Sequence, residues 1–257
     1  MPPASKHLGA SLIELQQVDS TNNYATGMVH AGLAEHGTAV LAMYQTAGKG
    51  QRGKGWVTEP GTNIMLSLVL APSEVFGEDL VRLSEVEAFR FSAAIALGAQ
   101  RFFARYAGEE TFVKWPNDLF WRDRKAGGIL IANVLSGAAW KWAIAGIGIN
   151  INQSDFGELA GRAVSLRQVT GRSWDVRELA AELCVSIEGT LGQLARDPLR
   201  IVADYHSVLF RNGAEARFRK GSRTFSAEVL GVTDDGRLRL RHGIEEAYAV
   251  GEVQWVF

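Results

Sequence analysis

The chain has 257 residues, 47% of them hydrophobic and 21% charged, with a formal net charge of −1. That balance excludes a disordered chain and a global basic field recruiting nucleic acid or anionic membrane; the length suits one large domain or one with a small appendage. Cys184 is the single cysteine, no apolar run reaches the roughly 18 residues of a membrane span, and Met1–Ala10 lacks an apolar signal core, so a soluble cytoplasmic protein is expected.

In chain order, Leu12–Val18 alternates weakly and reads as a strand. Asp19-Ser20-Thr21-Asn22 offers N-cap residues for a helix through Tyr24, Ala25, Met28 and Val29, with Gly32 as its stop. Thr38–Tyr44 and Asn63–Leu70 read as apolar strands separated by the glycine-rich loop Gln45–Thr62. Helical spacing runs through Leu80–Tyr106, and the apolar runs Thr111–Trp115, Leu119–Trp121, Gly128–Leu135 and Trp140–Ile151 predict neighbouring strands joined by tight turns. Asp175 caps a helix to about Ala195, and Pro198 starts another to Phe210. From Asn212 the texture changes to short alternating strands with a turn at Thr233-Asp234-Asp235-Gly236. The prediction is an α+β fold: a mixed β-sheet with flanking helices over residues 1–211, then a small β-barrel over 212–257.

The most informative stretch is Gln45-Thr46-Ala47-Gly48-Lys49-Gly50-Gln51-Arg52-Gly53-Lys54-Gly55-Trp56, where three cations alternate with four glycines. Such a segment can close backbone N–H groups and side-chain charge around an anion. Gly48–Lys54 fits the first part of a P-loop, but Gly55 stands where the Ser/Thr hydroxyl belongs and a strand follows instead of a helix. An exposed hairpin loop and a nucleic-acid loop with Trp56 as its stacking residue remain as alternatives. Val113-Lys114-Trp115-Pro116-Asn117-Asp118 puts amide and charged groups at a turn that Pro116 forces at the end of a strand. Alone it is an ordinary turn. Lys125, leading into Ala126-Gly127-Gly128, either snorkels or serves as an electrophilic handle for an anion. Gly146-Ile147-Gly148-Ile149-Asn150 fails as a dinucleotide fingerprint because Ile151 replaces the third glycine; its glycines suit close packing or close approach of a ligand. Cys184 reads as core, and His30, His36 and His206 have no metal-ligand spacing.

Taken in this order, Asp19–Asn22, the loop to Trp56, Lys114–Asp118, Lys125-Ala-Gly-Gly and Gly148-Ile-Asn150 resemble the biotin protein ligases, from about Leu12 to the end of the chain. The resemblance implies a biotin/lipoate ligase-like catalytic domain, related to class II tRNA synthetase catalytic domains, followed by an SH3-like barrel. It implies two half-reactions with ATP and Mg²⁺: formation of biotinyl-5′-AMP, then transfer of biotin to a lysine of a biotin carboxyl carrier protein. Because the match begins near the start of the sequence, a monofunctional ligase without the DNA-binding domain of some members is expected, with no DNA or membrane partner; a homodimer is left open.

The same resemblance implies the site. Lys125, Arg52 and Asp118 would be catalytic, with Asp118 serving Mg²⁺ or the incoming lysine. Ser20, Thr21, Asn22, Gln45, Lys49, Gly50, Gln51 and Lys125 would bind biotin, whose ureido ring offers one acceptor and two donors. Ser20 and Thr21 have helix capping as a second use. Gly48, Arg52, Trp56, Asn117 and Asn150 would serve the nucleotide. Three departures from the family pattern stand out. Lys49 and Gln51 replace arginines, which puts retention of the adenylate more on Arg52 and Lys125, and Ala132 stands where a glutamate is usual, beside Asn133. A lipoate or octanoate ligase or transferase is the nearest rival reading, and a nucleic-acid-binding module is the rival from another class.

Overall fold

A computed structural model describes residues 7–53, 55–56, 58–77 and 81–257. Its strands and helices follow in chain order as β1 (Leu12–Leu15), α1 (Thr21–His30), β2 (Ala39–Ala42), β3 (Ile64–Leu70), α2 (Pro72–Phe76), α3 (Glu85–Ala107), β4 (Thr111–Lys114), β5 (Asp118–Trp121), β6 (Arg124–Ser136) and β7 (Ala139–Ile149). Then come α4 (Leu166–Thr170), α5 (Val176–Arg196), α6 (Pro198–Ser207), β8 (Glu215–Lys220), β9 (Arg223–Val232), β10 (Leu238–His242), β11 (Ile244–Tyr248) and β12 (Gln254–Val256). Among the described residues, seven strands form a mixed sheet ordered β1-β2-β3-β7-β6-β5-β4, parallel only between β1 and β2. Five more form an antiparallel sheet ordered β11-β10-β9-β8-β12. This is the expected α+β architecture, a mixed sheet with flanking helices and a C-terminal β unit.

The period of two along the central strands explains how the sheet uses its faces. Leu41, Leu66, Leu68, Leu70, Ala143, Ala145 and Ile147 point into the main core with Phe91, Phe102 and Phe103 of α3 and Leu183 and Ile187 of α5. Val40, Val69 and Ile144 point the other way, against Ala25 of α1. Further along this α1 face the bulky apolar residues give way on the inner strands to glycine and serine. One row carries Ser67, Gly146 and Leu130, the next Met65, Gly148 and Gly128. Ser67 and three glycines in these two rows leave a shallow strip beside the start of α1.

Several boundaries differ from the sequence reading for local reasons. The helix expected from Leu80 (itself outside the described residues) begins at Glu85, because the Ser84 side chain accepts from the Glu87 N–H and caps it there. The helix expected to reach Phe210 ends at Ser207. Val208 and Phe210 instead bond the backbone of Val113, covering the β4 edge of the sheet. Two five-residue helices went unpredicted. α2 has Pro72 in its first turn and Gly77 as a left-handed stop, while α4 has a Ser165/Gln168 capping box and Gly171. Turn chemistry announced both, but five residues carry too little periodicity. The Thr233–Gly236 turn joins β9 to β10 as expected, with Gly236 at φ 83°.

The two sheets are fastened at chosen points. Trp115 Nε1 donates to the Gly236 carbonyl at 2.8 Å, and the Val232 N–H donates to His206 Nε2 at 3.1 Å. Tyr205, fully buried with its phenol pushed well above its usual pKa by that burial, donates to the Pro116 carbonyl at 2.9 Å. These bonds hold the Trp115–Asp118 turn between α6 and the C-terminal sheet.

Candidate functional site

One cavity of about 870 Å³ opens on the α1 face of the sheet, and most of the expected residues line it: Ser20, Thr21, Asn22, Gln45, Lys49, Gly50, Gln51, Trp56, Asp118 and Lys125. Its two ends differ in chemistry.

The neutral end is built on the start of α1. Ser20 holds the N-cap position, yet its side chain makes no capping bond, and Thr21 turns inward. Both are therefore released from the capping use considered for them. Gln45 Oε1 accepts from the Thr21 N–H at 2.7 Å and from the Thr21 hydroxyl at 3.1 Å. Asn22 Nδ2 donates to the Leu130 carbonyl at 3.1 Å, and its Oδ1 lies 2.6 Å from the Ser67 hydroxyl, which also lies 2.8 Å from Thr21 Oγ1. Gly146 is required here, since a methyl on it would overlap the Asn22 carboxamide. Ser67 was missed from the sequence, although a hydroxyl inside the otherwise apolar Ile64–Leu70 was a usable signal: a fully buried hydroxyl needs a partner.

The charged end centres on Asp118. Lys125 Nζ lies 2.6 Å from its Oδ1 and Lys114 Nζ 3.5 Å from its Oδ2, so one carboxylate faces two ammonium groups. Lys125 Nζ also lies 5.7 Å from the Trp56 ring, which covers Gly148 so closely that a Cβ there would come within 2.6 Å of the indole. The loop reaches this position through a 3-10 turn at Gln51–Gly53 and a bridge between Lys49 and Gly55. Lys54 and the side chain of Arg52 lie outside the described residues. Lys49 Nζ donates to Asn23 Oδ1 at 2.6 Å, and Asn23 in turn donates to Asp19. The Asn23 bond and the Ser20 N–H are the main reasons the Asp19 carboxyl sits below its usual pKa.

Asn117 and Asn150 lie behind this end, outside the lining of the cavity. Asn117 Nδ2 donates to the Ile129 carbonyl at 2.5 Å, pinning the turn to β6. Asn150 Nδ2 donates to the Val164 carbonyl at 3.1 Å and lies 3.4 Å from that of Lys125. Gly48 sits at the root of the loop, its carbonyl accepting from the Trp56 N–H at 2.9 Å. The lining also holds residues the sequence reading did not assign: Met65, Lys114, Arg162 and, from the C-terminal sheet, Arg219, Gln254 and Trp255. Nothing local marks Arg219 as different from the other arginines of β8–β10. Only the docking of the sheets brings it here. Ala132 is exposed on the outer half of β6 and Asn133 lines a second cavity of about 380 Å³.

For a metal, the donor set is thin. Among the described residues no group of three or more His, Cys, Asp or Glu could hold an ion. Asp118, the one carboxylate lining the cavity among the described residues, already faces two ammonium groups. One carboxylate so paired is a thin donor set for holding a divalent cation by protein ligands alone.

Comparison with known proteins bears on this geometry. The model of the biotin/lipoate A/B protein ligase family matches residues 14–150. The chain is 32% identical over 235 residues to the biotin–[acetyl-CoA-carboxylase] ligase of Paracoccus denitrificans, covering 88% of this chain and 92% of that protein. It is 30% identical over 250 residues to the bifunctional ligase/repressor BirA of Bacillus spizizenii, covering 94% of this chain and 73% of the relative. In fold it resembles the biotin protein ligase of Aquifex aeolicus solved with biotin and ATP, with a TM-score of 0.78 at 24% identity over 96% of this chain and 99% of the other.

Proposed function

The chain belongs to the biotin/lipoate A/B protein ligase family, and from that premise we propose that it activates biotin with ATP and transfers it to a lysine of a biotin carboxyl carrier protein. The observation that carries the biotin reading is that Thr21, Asn22 and half-buried Gln45, bonded to one another through Thr21 and the buried Ser67, line the same cavity as the Lys125–Asp118 pair. Gln45 has its Oε1 occupied by Thr21, which leaves its amide N–H groups for the ureido carbonyl. The hydroxyls of Ser20 and Thr21 can accept from the ureido N–H groups. A lipoyl tail would leave the Gln45 amide N–H groups and the Ser20 hydroxyl without that partner, at a cost of about 1–3 kcal/mol each.

In the first half-reaction a biotin carboxylate oxygen attacks the α-phosphorus of ATP, and pyrophosphate leaves with the electrons of the broken P–O bond. In the second, the neutral amine of the carrier lysine attacks the anhydride carbonyl. A C–N bond forms, the C–O bond to AMP breaks, and the amine loses a proton. No side chain needs to become covalently attached. Catalysis then rests on positioning and on charge held where the phosphate develops it. Lys125 is assigned to the activated carboxyl and α-phosphate, Trp56 to the adenine, and Lys49, Gly50, Gln51 and Arg52 to the lid over them. Asp118 is the fixed counter-charge that orients Lys125. Mg²⁺ would arrive on the phosphates of ATP and shield their charge. Asn117 and Asn150 are assigned to holding the Lys125 strand beside the nucleotide, since their amides are committed to backbone carbonyls. No helix among the described residues is long and apolar enough to cross a membrane, and a cytoplasmic location accords with the single cysteine.

The test is pyrophosphate release from ATP with Mg²⁺, comparing biotin, lipoate and neither. Release with biotin alone is expected. Release with lipoate instead would move the chain to the sister activity, and silence with both would overturn the reading.

A further inference from the structure

The ammonium of Lys114 is surrounded by aromatic side chains from its own sheet and from the C-terminal segment. Lys114 ends β4, and its Nζ lies 5.1 Å from the ring centroid of Phe120, 5.8 Å from that of Trp255 and 5.6 Å from that of Phe257. Its side chain is 13% exposed, so these rings stand where water would otherwise solvate the charge. Phe120 belongs to β5, whereas Trp255 lies on β12 and Phe257 just beyond it. Phe257 is 66% exposed and stacks on Phe120, with centroids 5.8 Å apart and planes 23° from parallel. An exposed aromatic contributes little to a core. Phe257 also lies 6.3 Å from the Phe210 ring, so it covers these two rings and, beside them, the Lys114 cation.

We propose that Trp255 and Phe257 are positioning residues of the ligase site, holding with Phe120 the Lys114 ammonium against Asp118 so that Lys125 keeps its charge available for the reacting phosphate. The electrostatic argument is a count of charges. One carboxylate between two ammonium groups leaves a net positive field toward the anionic substrate. If Lys114 swings into solvent, Asp118 and Lys125 neutralise each other, and the field at the reaction centre falls. A ring face attracts a cation, so the cage holds the ammonium in place. The C-terminal sheet is thereby a working part of the site, which rests on the ligase reading above.

The test uses the full chain with Phe257→Leu, which removes the ring but keeps apolar bulk, and Phe257→Tyr, which restores it. In biotin-dependent exchange between pyrophosphate and ATP, Phe257→Leu is expected to lower kcat about three- to fivefold, the size of an exposed cation–π contact. KM for biotin should be unchanged, because the neutral end is untouched, and Phe257→Tyr should recover the wild-type kcat. The ε-methylene protons of Lys114, shifted upfield by the rings in the wild type, should move toward their ordinary position in Phe257→Leu alone. An active wild type with Phe257→Leu of equal kcat, or with both variants equally impaired, would overturn the proposal while leaving the ligase reading intact. A wild type without biotin-dependent exchange would overturn that reading first, and this one with it.

Discussion

The two ends of the cavity solve opposite physical problems. At the neutral end Ser20, Thr21, Asn22 and Ser67 are buried, and the bonds among Thr21, Asn22, Ser67 and Gln45 link one helix start to adjacent strands of one sheet. A neutral polar ligand can be desolvated completely there, provided that every donor and acceptor is matched. At the charged end the side chains of Lys125 and Asp118 remain 36% and 26% exposed, and the lining residues come from β4, β5, β6, the segment after β7 and two strands of the C-terminal sheet. Phosphate charge enters and leaves at each turnover, so a closed, fully desolvated site would carry unpaired ions for half the cycle. Hydrogen-bond recognition suits a rigid local element, whereas charge can be gathered from afar. The charged end should therefore set kcat and the neutral end KM for biotin.

The largest expected effect tests the charged end. Lys125→Ala removes the cation proposed to face the activated carboxyl and α-phosphate and should lower biotin-dependent pyrophosphate release about 10²–10³-fold, the range for loss of one preorganised electrostatic group. Thermal melting should match the wild type, because the side chain is partly exposed. Near-normal release would remove Lys125 from the mechanism. At the neutral end Ser67→Ala takes away the partner that fixes Asn22 and Thr21, and should raise KM for biotin about tenfold, with kcat nearly unchanged at saturation. Gly146→Ala, which pushes the Asn22 side chain off the floor, should do the same by a larger factor. Biotin titrations of pyrophosphate release decide the matter: a change confined to kcat would mean that the two ends do not divide the work in this way.

This division also explains what could be read from the sequence. Ser20, Thr21, Asn22 and Gln45 sit on or beside one predicted helix start and one predicted strand, so local pattern was enough to bring them together. Gly146 and Gly148 stood out as places of close approach, and the Asn22 carboxamide and the Trp56 ring occupy the space their missing side chains leave. Met65 was hidden inside an apolar run whose second face could not be assigned without its neighbours, and the Ser67 hydroxyl was the one mark of that face. Arg219, Gln254 and Trp255 were beyond reach for a different reason. The sequence reading docked the last strands on the main domain as an appendage without an orientation, and the Trp115–Gly236 and His206–Val232 bonds help to fix that orientation toward the catalytic sheet.

That docking supplies the smallest effect. His206 closes α6, and its Nε2 accepts the Val232 N–H, so the bond needs the neutral ring. Burial is the main cause that holds His206 below its usual pKa, aided by Arg239, with the Val232 carbonyl and Asp234 acting in the opposite sense. Below about pH 6.5 the unfolded chain takes up a proton that the folded one resists, so this bond's contribution, present above that pH, is lost as the medium becomes acid. His36 is lowered chiefly by burial as well, so the whole-protein pH slope cannot isolate the contact. The difference between wild type and His206→Gln can, because glutamine accepts the same N–H without titrating. Between pH 7 and pH 5 the wild type should lose about 2–4 °C more in Tm than the variant, as expected for one hydrogen bond in a chain of this size. Parallel slopes would mean that His206 does not titrate with folding. A steeper wild-type slope, together with a kcat that falls in acid before KM for biotin changes, would show the charged end loosening first.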